Sequence, residues 1–332
     1  MLNPEIKSSR GATSLLLLGA ALLMALALPL RIWQQIYLVE SETGFWAVDS
    51  ERVTIILLYV AMGALVALPF VTGLVLRRQF VADLTRRPRM VEAVAAIAVA
   101  VGITVGAALS LNFALSVFSG QMVEGLALQV DETMMQYYIR SGAMAALLEA
   151  VFGVLSALFF VSLAIVDLQP AKQRYLNRFL ALTPVLWVIF RVLRRFSRTI
   201  AYLRVSDLFI TIMGLVLLML FLLAFAQVLS GVNGAGREWR LAAAGIPAAA
   251  LLLLAFIPRI VASQFVSGLV PSQDAVIEWA DPAMALFIVI FLFGRLRTQN
   301  PAIEAPEAED AEEPEEASSE ELQTVEVEVE EV

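Results

Sequence analysis

Cysteine and histidine are both absent from this sequence of 332 residues. Without cysteine there is no disulfide, no thiol chemistry and no thiolate metal site. Without histidine, the commonest general base near neutral pH and the commonest metal ligand are missing too. Chemistry is left to Asp, Glu, Tyr, Ser, Thr, Lys and Arg, and the sequence assigns no catalytic residue, no cofactor and no metal site. No loop carries a nucleotide-binding fingerprint, which argues against ATP-driven pumping by this chain alone. The clustered Asp or His motifs of lipid-modifying enzymes are lacking as well, so enzyme activity is the least favoured reading.

Charge is scarce. Charged residues make up 16% of the chain against 60% hydrophobic, and mean hydropathy is +0.80. Soluble domains carry about 25% charged and about 45–50% apolar residues. A membrane protein of several spans is therefore expected, with the lipid bilayer of the cell (cytoplasmic) membrane as its surroundings and no nucleic-acid partner. The net charge of −8 conceals two opposed parts. Fourteen of the 31 acids follow Asn300, where there is no Lys or Arg, leaving seventeen acids against 23 bases and a body of net charge +6.

Long apolar runs are abundant. Eight stretches approach the roughly 20 residues that span about 30 Å of hydrocarbon: 13–36, 53–76, 90–118, 140–166, 179–203, 207–229, 240–262 and 282–297. The longest connections are about 20 residues, too short for a soluble domain between spans. Lys7 and Arg10 ahead of Thr13 resemble the start of a signal peptide, but the apolar run to Leu30 exceeds the usual ~7–15 residues and reads as a first span. Pro29, Pro69, Pro184, Pro247 and Pro258 fall within spans, where neighbouring helices satisfy freed carbonyls.

Basic residues gather in alternate connections: Lys7 and Arg10, then RRQFVADLTRRPR, QPAKQRYLNR, Arg237 with Arg240, and Arg295 with Arg297. By the positive-inside rule that face is cytoplasmic, and both termini lie there if every segment crosses. The opposite loops are acidic, with Glu40, Glu42, Asp49 and Glu51, then Glu124, Asp131 and Glu132, then Asp274, Glu278 and Asp281. The first of these lacks calcium-loop spacing and reads as solvated. The fifth segment strains the pattern, because its arginine-rich end would point outward. The alternative lays 179–203 along the surface as a basic amphipathic helix, giving seven spans.

That segment holds the charges most out of place. At 100° per residue, Arg191, Arg194, Arg195 and Arg198 form one stripe, while Arg204 falls off it as an interfacial anchor. An arginine facing lipid near a helix centre costs at least ~2.5–3.5 kcal/mol, so the stripe should face protein or water. Glu149 lies at a matching depth in the preceding segment, and we expect it to pair with Arg191, leaving the others as an outward-facing cationic wall. Pairing with the acidic outer loops is the structural reading of that wall. An anion held by guanidinium forks is the functional one. A voltage sensor is disfavoured, since Ser197 breaks the every-third-residue repeat and Glu149 is the one deep carboxylate in any span.

Three further signals are local. Gly102 and Gly106 form a GxxxG followed by Ser110 and Asn112, a pattern for close helix packing with Asn112 as a candidate ligand contact. Ser206 and Asp207 read as an N-cap and a dipole-matched acid. LPLRI at 28–32 and IPRI at 257–260 echo each other at the ends of two outward spans. Beyond residue 298 the acidic sequence has nothing to bury and should be disordered.

The expectation is an all-α bundle of about eight transmembrane helices: a short N-terminus (1–12), the bundle (13–298) and an acidic cytoplasmic tail (299–332). Its favoured activity is transport or binding of an anionic small molecule or lipid headgroup through Arg191, Arg194, Arg195, Arg198, Glu149 and Asn112. The alternative is a non-catalytic scaffold or sensor whose tail recruits a basic cytoplasmic protein.

Overall fold

A computed structural model describes residues 8–9, 11–39, 46, 52–77, 79–82, 90–123, 126, 131–168, 179–197, 205–231, 237–265 and 278–299. Nine α-helices occur among them: α1 Gly11–Tyr37, α2 Arg52–Val75, α3 Met90–Phe118, α4 Met134–Arg140, α5 Ala143–Leu168, α6 Thr183–Ser197, α7 Val205–Leu229, α8 Trp239–Phe265 and α9 Ala280–Arg295. Six of these (α1, α2, α3, α5, α7 and α8) are long and apolar enough to cross a membrane. The chain is an all-α, multi-pass membrane bundle.

Each apolar segment of the sequence coincides with one long or medium helix, because runs of Ala, Leu and Val satisfy their backbone internally and keep nothing polar outside. The fifth is shorter than expected, and the eighth keeps its expected length but begins two residues earlier. α6 has 15 residues and α9 has 16, about 22–24 Å of axis at 1.5 Å per residue. Pro184 does not interrupt α6. It occupies the first turn, where its missing N–H has no intrahelical partner to lose. The fourth segment begins three residues later than expected, at Ala143, behind a short separate helix. Gly142 at φ +77° ends a separate α4, which opens on a capping box between Thr133 and Gln136.

Small strands were not anticipated. β1 (Ser8–Ser9), β2 (Phe80–Ala82) and β3 (Leu296–Gln299) form an antiparallel sheet with β3 in the middle. They precede α1, follow α2 and follow α9, so those three helix ends lie together. Pairing satisfies backbone groups that would be orphaned where Phe80 and Leu296 are buried. β3 carries regular structure to Gln299, one residue past the boundary expected from sequence. The acidic tail lies outside the described residues.

Side-chain contacts sort the remaining helix ends. Trp239 at the start of α8 meets Phe70 and Gly73 near the end of α2. Arg295 at the end of α9 binds Glu92 at the start of α3 and Asp167 at the end of α5. These ends belong to the sheet side. On the opposite side, Arg31 late in α1 and Arg259 late in α8 meet Asp207 at the start of α7. The eight longer helices thus alternate in direction. α6 runs antiparallel along α5: Trp187 meets Gly153, Phe190 stacks on Phe152, and Arg194 reaches Glu149.

α8 is the most enclosed helix, packed among α1, α2, α7 and α9. Its AAAGIPAAA run is the reason, since small side chains let neighbouring backbones approach. Phe221 rests directly on Gly245. Phe159, Phe160, Phe221, Phe225, Phe287 and Phe291 interlock between α5, α7 and α9, mostly edge to face. Leu15, Leu18 and Leu22 of α1 instead point outward, which suits a lipid surrounding.

Candidate functional site

Arg191, Arg194 and Arg195 share one face of α6 because residues three and four apart are neighbours on a helix. That face meets the start of α9 and the halves of α3 and α5 that lie away from the sheet. Arg191 is the deepest, only 1% exposed. Its Nη2 donates to Asp281 Oδ1 at 2.8 Å and contacts Glu278. Its guanidinium carbon also lies 4.8 Å from the ring centre of Trp187, one turn back along α6, a cation–π arrangement. Arg194 donates from Nη1 to Ser110 Oγ at 2.5 Å. Ser110 in turn donates to Glu149 Oε1 at 3.2 Å, and Arg194 Nε stands 3.1 Å from Glu149 Oε2. Arg195 Nη2 donates to Glu278 Oε1 at 3.0 Å. Glu278 is therefore gripped by three guanidiniums at once.

The expected partnership of Glu149 with Arg191 is corrected. Glu149 pairs with Arg194, one turn nearer the C-terminal end of α6, while Arg191 is taken by Glu278 and Asp281. Depth alone did not separate the two arginines, because their side chains are longer than the 4.5 Å rise between residues 191 and 194. What decided was α9, whose first turn brings its own carboxylates against Arg191. The wall is consequently not bare cation: carboxylates interleave it, including two assigned to an outer loop. Asn112 is exposed and falls on another face of α3, 200° around from buried Ser110. Ser110 is the α3 residue at the site. Arg198 and Arg204 lie outside the described residues.

A second cluster adjoins the first. Arg31, 1% exposed, binds Asp207. Gln35 Nε2 donates to both oxygens of that carboxylate, at 2.9 and 3.1 Å. Arg259 Nε approaches its Oδ2 at 3.7 Å and Nη2 donates to Thr211 Oγ1 at 3.0 Å. Arg259 also lies within electrostatic reach of Arg195. The reading of Ser206 as N-cap is corrected, since α7 already begins at Val205, while Asp207 does lie in the first turn as the dipole-matched acid; its side chain in addition reaches across to α1 and α8. Arg31 and Arg259 are the two arginines of the LPLRI and IPRI echo, and the fold brings both to one carboxylate. Sequence reading missed them because each sits at a span end, where an interfacial anchor is the default.

Together the clusters hold five guanidiniums (Arg31, Arg191, Arg194, Arg195, Arg259) against four carboxylates (Glu149, Asp207, Glu278, Asp281). Among the described residues, cation is in excess by one. There, Nε and Nη1 of Arg191 and the Nε atoms of Arg195 and Arg259 are buried with no hydrogen-bond acceptor, against two buried acceptors without a donor, Oε2 of Glu149 and Oε1 of Gln35. Buried donors without partners each cost about 1–3 kcal/mol, and they outnumber the unpaired acceptors. No group of three or more carboxylates able to hold a metal ion occurs among the described residues.

No protein-family model matches the chain, and neither curated proteins nor solved structures contain a match, so what this site does has to be read from its own chemistry.

Proposed function

We propose that all eight longer helices cross the bilayer with the sheet side cytoplasmic, and that the arginine cluster is an outward-facing binding site for an anionic solute. The single observation that carries the reading is the imbalance of charge and of hydrogen bonds among the described residues: five guanidiniums, two of them buried and three partly buried, four carboxylates, and donors left without acceptors. Solvating such donors in a low-dielectric interior takes an acceptor-rich group, and carboxylate or phosphate oxygens fit guanidinium forks best. Glu278 already plays that part, a carboxylate from the chain itself held by Arg191, Arg194 and Arg195. It immediately precedes α9 and acts as a tethered occupant with which a free anion competes. Antiparallel packing of α6 along α5 supports a crossing rather than a surface helix, and Arg77, Arg237, Arg240 and Arg297 on the sheet side agree with the positive-inside rule.

The test is thermal stabilisation of the purified full-length protein by inorganic phosphate, sulfate and succinate. A saturating anion at one hundred times its Kd contributes about 2.7 kcal/mol, on the order of 5 °C in Tm. Glu278→Gln removes the tethered competitor, so this variant should melt lower without anion and respond more strongly to it than the wild type. Arg194→Gln with Arg195→Gln should abolish the response while the protein still folds. If Glu278→Gln loses stability and no anion restores it, the cluster is a structural staple between α6 and α9 and the binding reading fails.

A further inference from the structure

At the sheet side, remote from the arginine cluster, α3, α5 and α9 bring together two carboxylates and one guanidinium. Arg295 Nε donates to Glu92 Oε2 at 2.7 Å, and its Nη2 donates to Asp167 Oδ1 at 3.0 Å. Nitrogens of one guanidinium are close neighbours, so the two carboxylates stand side by side. The side chain of Glu92 is 3% exposed and that of Asp167 is 14% exposed. Oε1 of Glu92 is buried with no hydrogen-bond partner among the described residues. Among the described residues, two ionised carboxylates on the Arg295 cation leave a surplus negative charge at the membrane boundary, plus an acceptor with nothing to accept.

We propose that Glu92 and Asp167 share one proton, forming a proton-binding site at the cytoplasmic end of the bundle. A single proton removes both defects. It cancels the surplus charge, and a carboxyl O–H supplies the donor that buried acceptor lacks. Like charges pressed together in a dry site share a proton rather than both ionise. Helix ends decide which residue carries it. Glu92 lies in the first turn of α3, where the dipole favours a negative charge. Asp167 is the penultimate residue of α5, where the dipole opposes one. Asp167 is also the more accessible of the two, so the proton enters and leaves through it. The charged groups acting on Asp167 are Glu92 from α3 and Arg295 from α9, with none from α5 itself among the described residues.

The same three helices supply Ser110, Glu149, Glu278 and Asp281 to the arginine cluster at their other ends. Proton and anion sites on shared helices are the arrangement that proton-coupled anion movement needs, a consequence that rests on the anion reading; the proton site does not. The decisive experiment is infrared spectroscopy of the full-length protein at a mildly acidic pH of about 6, reading the protonated-carboxyl C=O stretch and its shift in deuterium oxide. Solvent-exposed acids are ionised at that pH and contribute nothing to the band. The wild type should show the band. Asp167→Asn and Glu92→Gln should each lose it, since either amide removes the like charge that holds the proton. Absence of the band from the wild type overturns the proposal without any variant having to fold, and so does its persistence in Asp167→Asn. Neither outcome depends on whether anions stabilise the protein.

Discussion

Ser110 is one hydroxyl serving two charges, accepting from Arg194 and donating to Glu149. Replacing it with alanine strands a guanidinium N–H and a carboxylate oxygen inside the bundle. Ser110→Ala should lower stability by about 1–3 kcal/mol, measured by reversible unfolding in mixed micelles. Asn112→Ala, on another face of α3 and exposed, should stay within about 0.5 kcal/mol of the wild type. The ion pairing is open to a sharper test by double-mutant cycles. Arg194 and Glu149 are in contact, so Arg194→Gln with Glu149→Gln should show a coupling energy of about 0.5–3 kcal/mol. The corresponding cycle for Arg191 and Glu149 should be the smaller of the two, because Arg191 spends its contacts on Glu278 and Asp281. Which carboxylate faces which arginine was the least legible feature of the sequence. Helical phase places Arg191, Arg194 and Arg195 on one face, but says nothing about which neighbour arrives there.

At the scale of elements, helix contacts separate two glycines that look equivalent in the GxxxG of α3. A Cβ at Gly102 would meet the backbone of Trp279 and Ala280 at 2.9–3.1 Å, whereas one at Gly106 would meet nothing within 4 Å. Gly102→Ala should therefore force α3 away from α9 at a cost of about 1–3 kcal/mol, and Gly106→Ala should be neutral or slightly favourable. Thermal unfolding of the pair decides, and equal effects would mean that α3 and α9 do not meet at Gly102. The close contact matters beyond stability, because α9 begins at that point with Asp281 pointing at Arg191. Gly153 plays the matching part on α5, admitting Trp187 of α6. Existence and approximate bounds of these helices were readable from apolar length alone. Their partners were not, since a helix apolar on every side carries no periodic mark of which face meets protein and which meets lipid.

For the whole molecule, alternation of eight helices makes a prediction about sidedness. The cysteine-free chain accepts single reporter cysteines. With Ser197→Cys at the outer end of α6 and Arg237→Cys on the exposed sheet side, an impermeant thiol reagent added to intact cells should label the first and spare the second. Labelling of both from one side would lay α6 along the surface and remove the outward site. The sheet sets where the bundle can be cut. Thr298 and Gln299 pair with Phe80 and Ser8, so a chain ending at Arg297 should melt lower than one ending at Gln299. The latter keeps every described strand pairing and should melt like the full-length protein.

By itself the sequence determined the class of the molecule and its helical segments. Hydrocarbon demands long apolar stretches with internally satisfied backbones, and that demand is written residue by residue along the chain. It also showed that several arginines could not face lipid. Only the tertiary structure decided that Glu278 and Asp281 belong to that cluster, that Arg31 and Arg259 converge on Asp207, and that Glu92, Asp167 and Arg295 meet at the far end. Those pairings depend on how each helix is turned and which helix lies beside it. Such choices are made by packing between residues up to two hundred positions apart, and no local pattern records them.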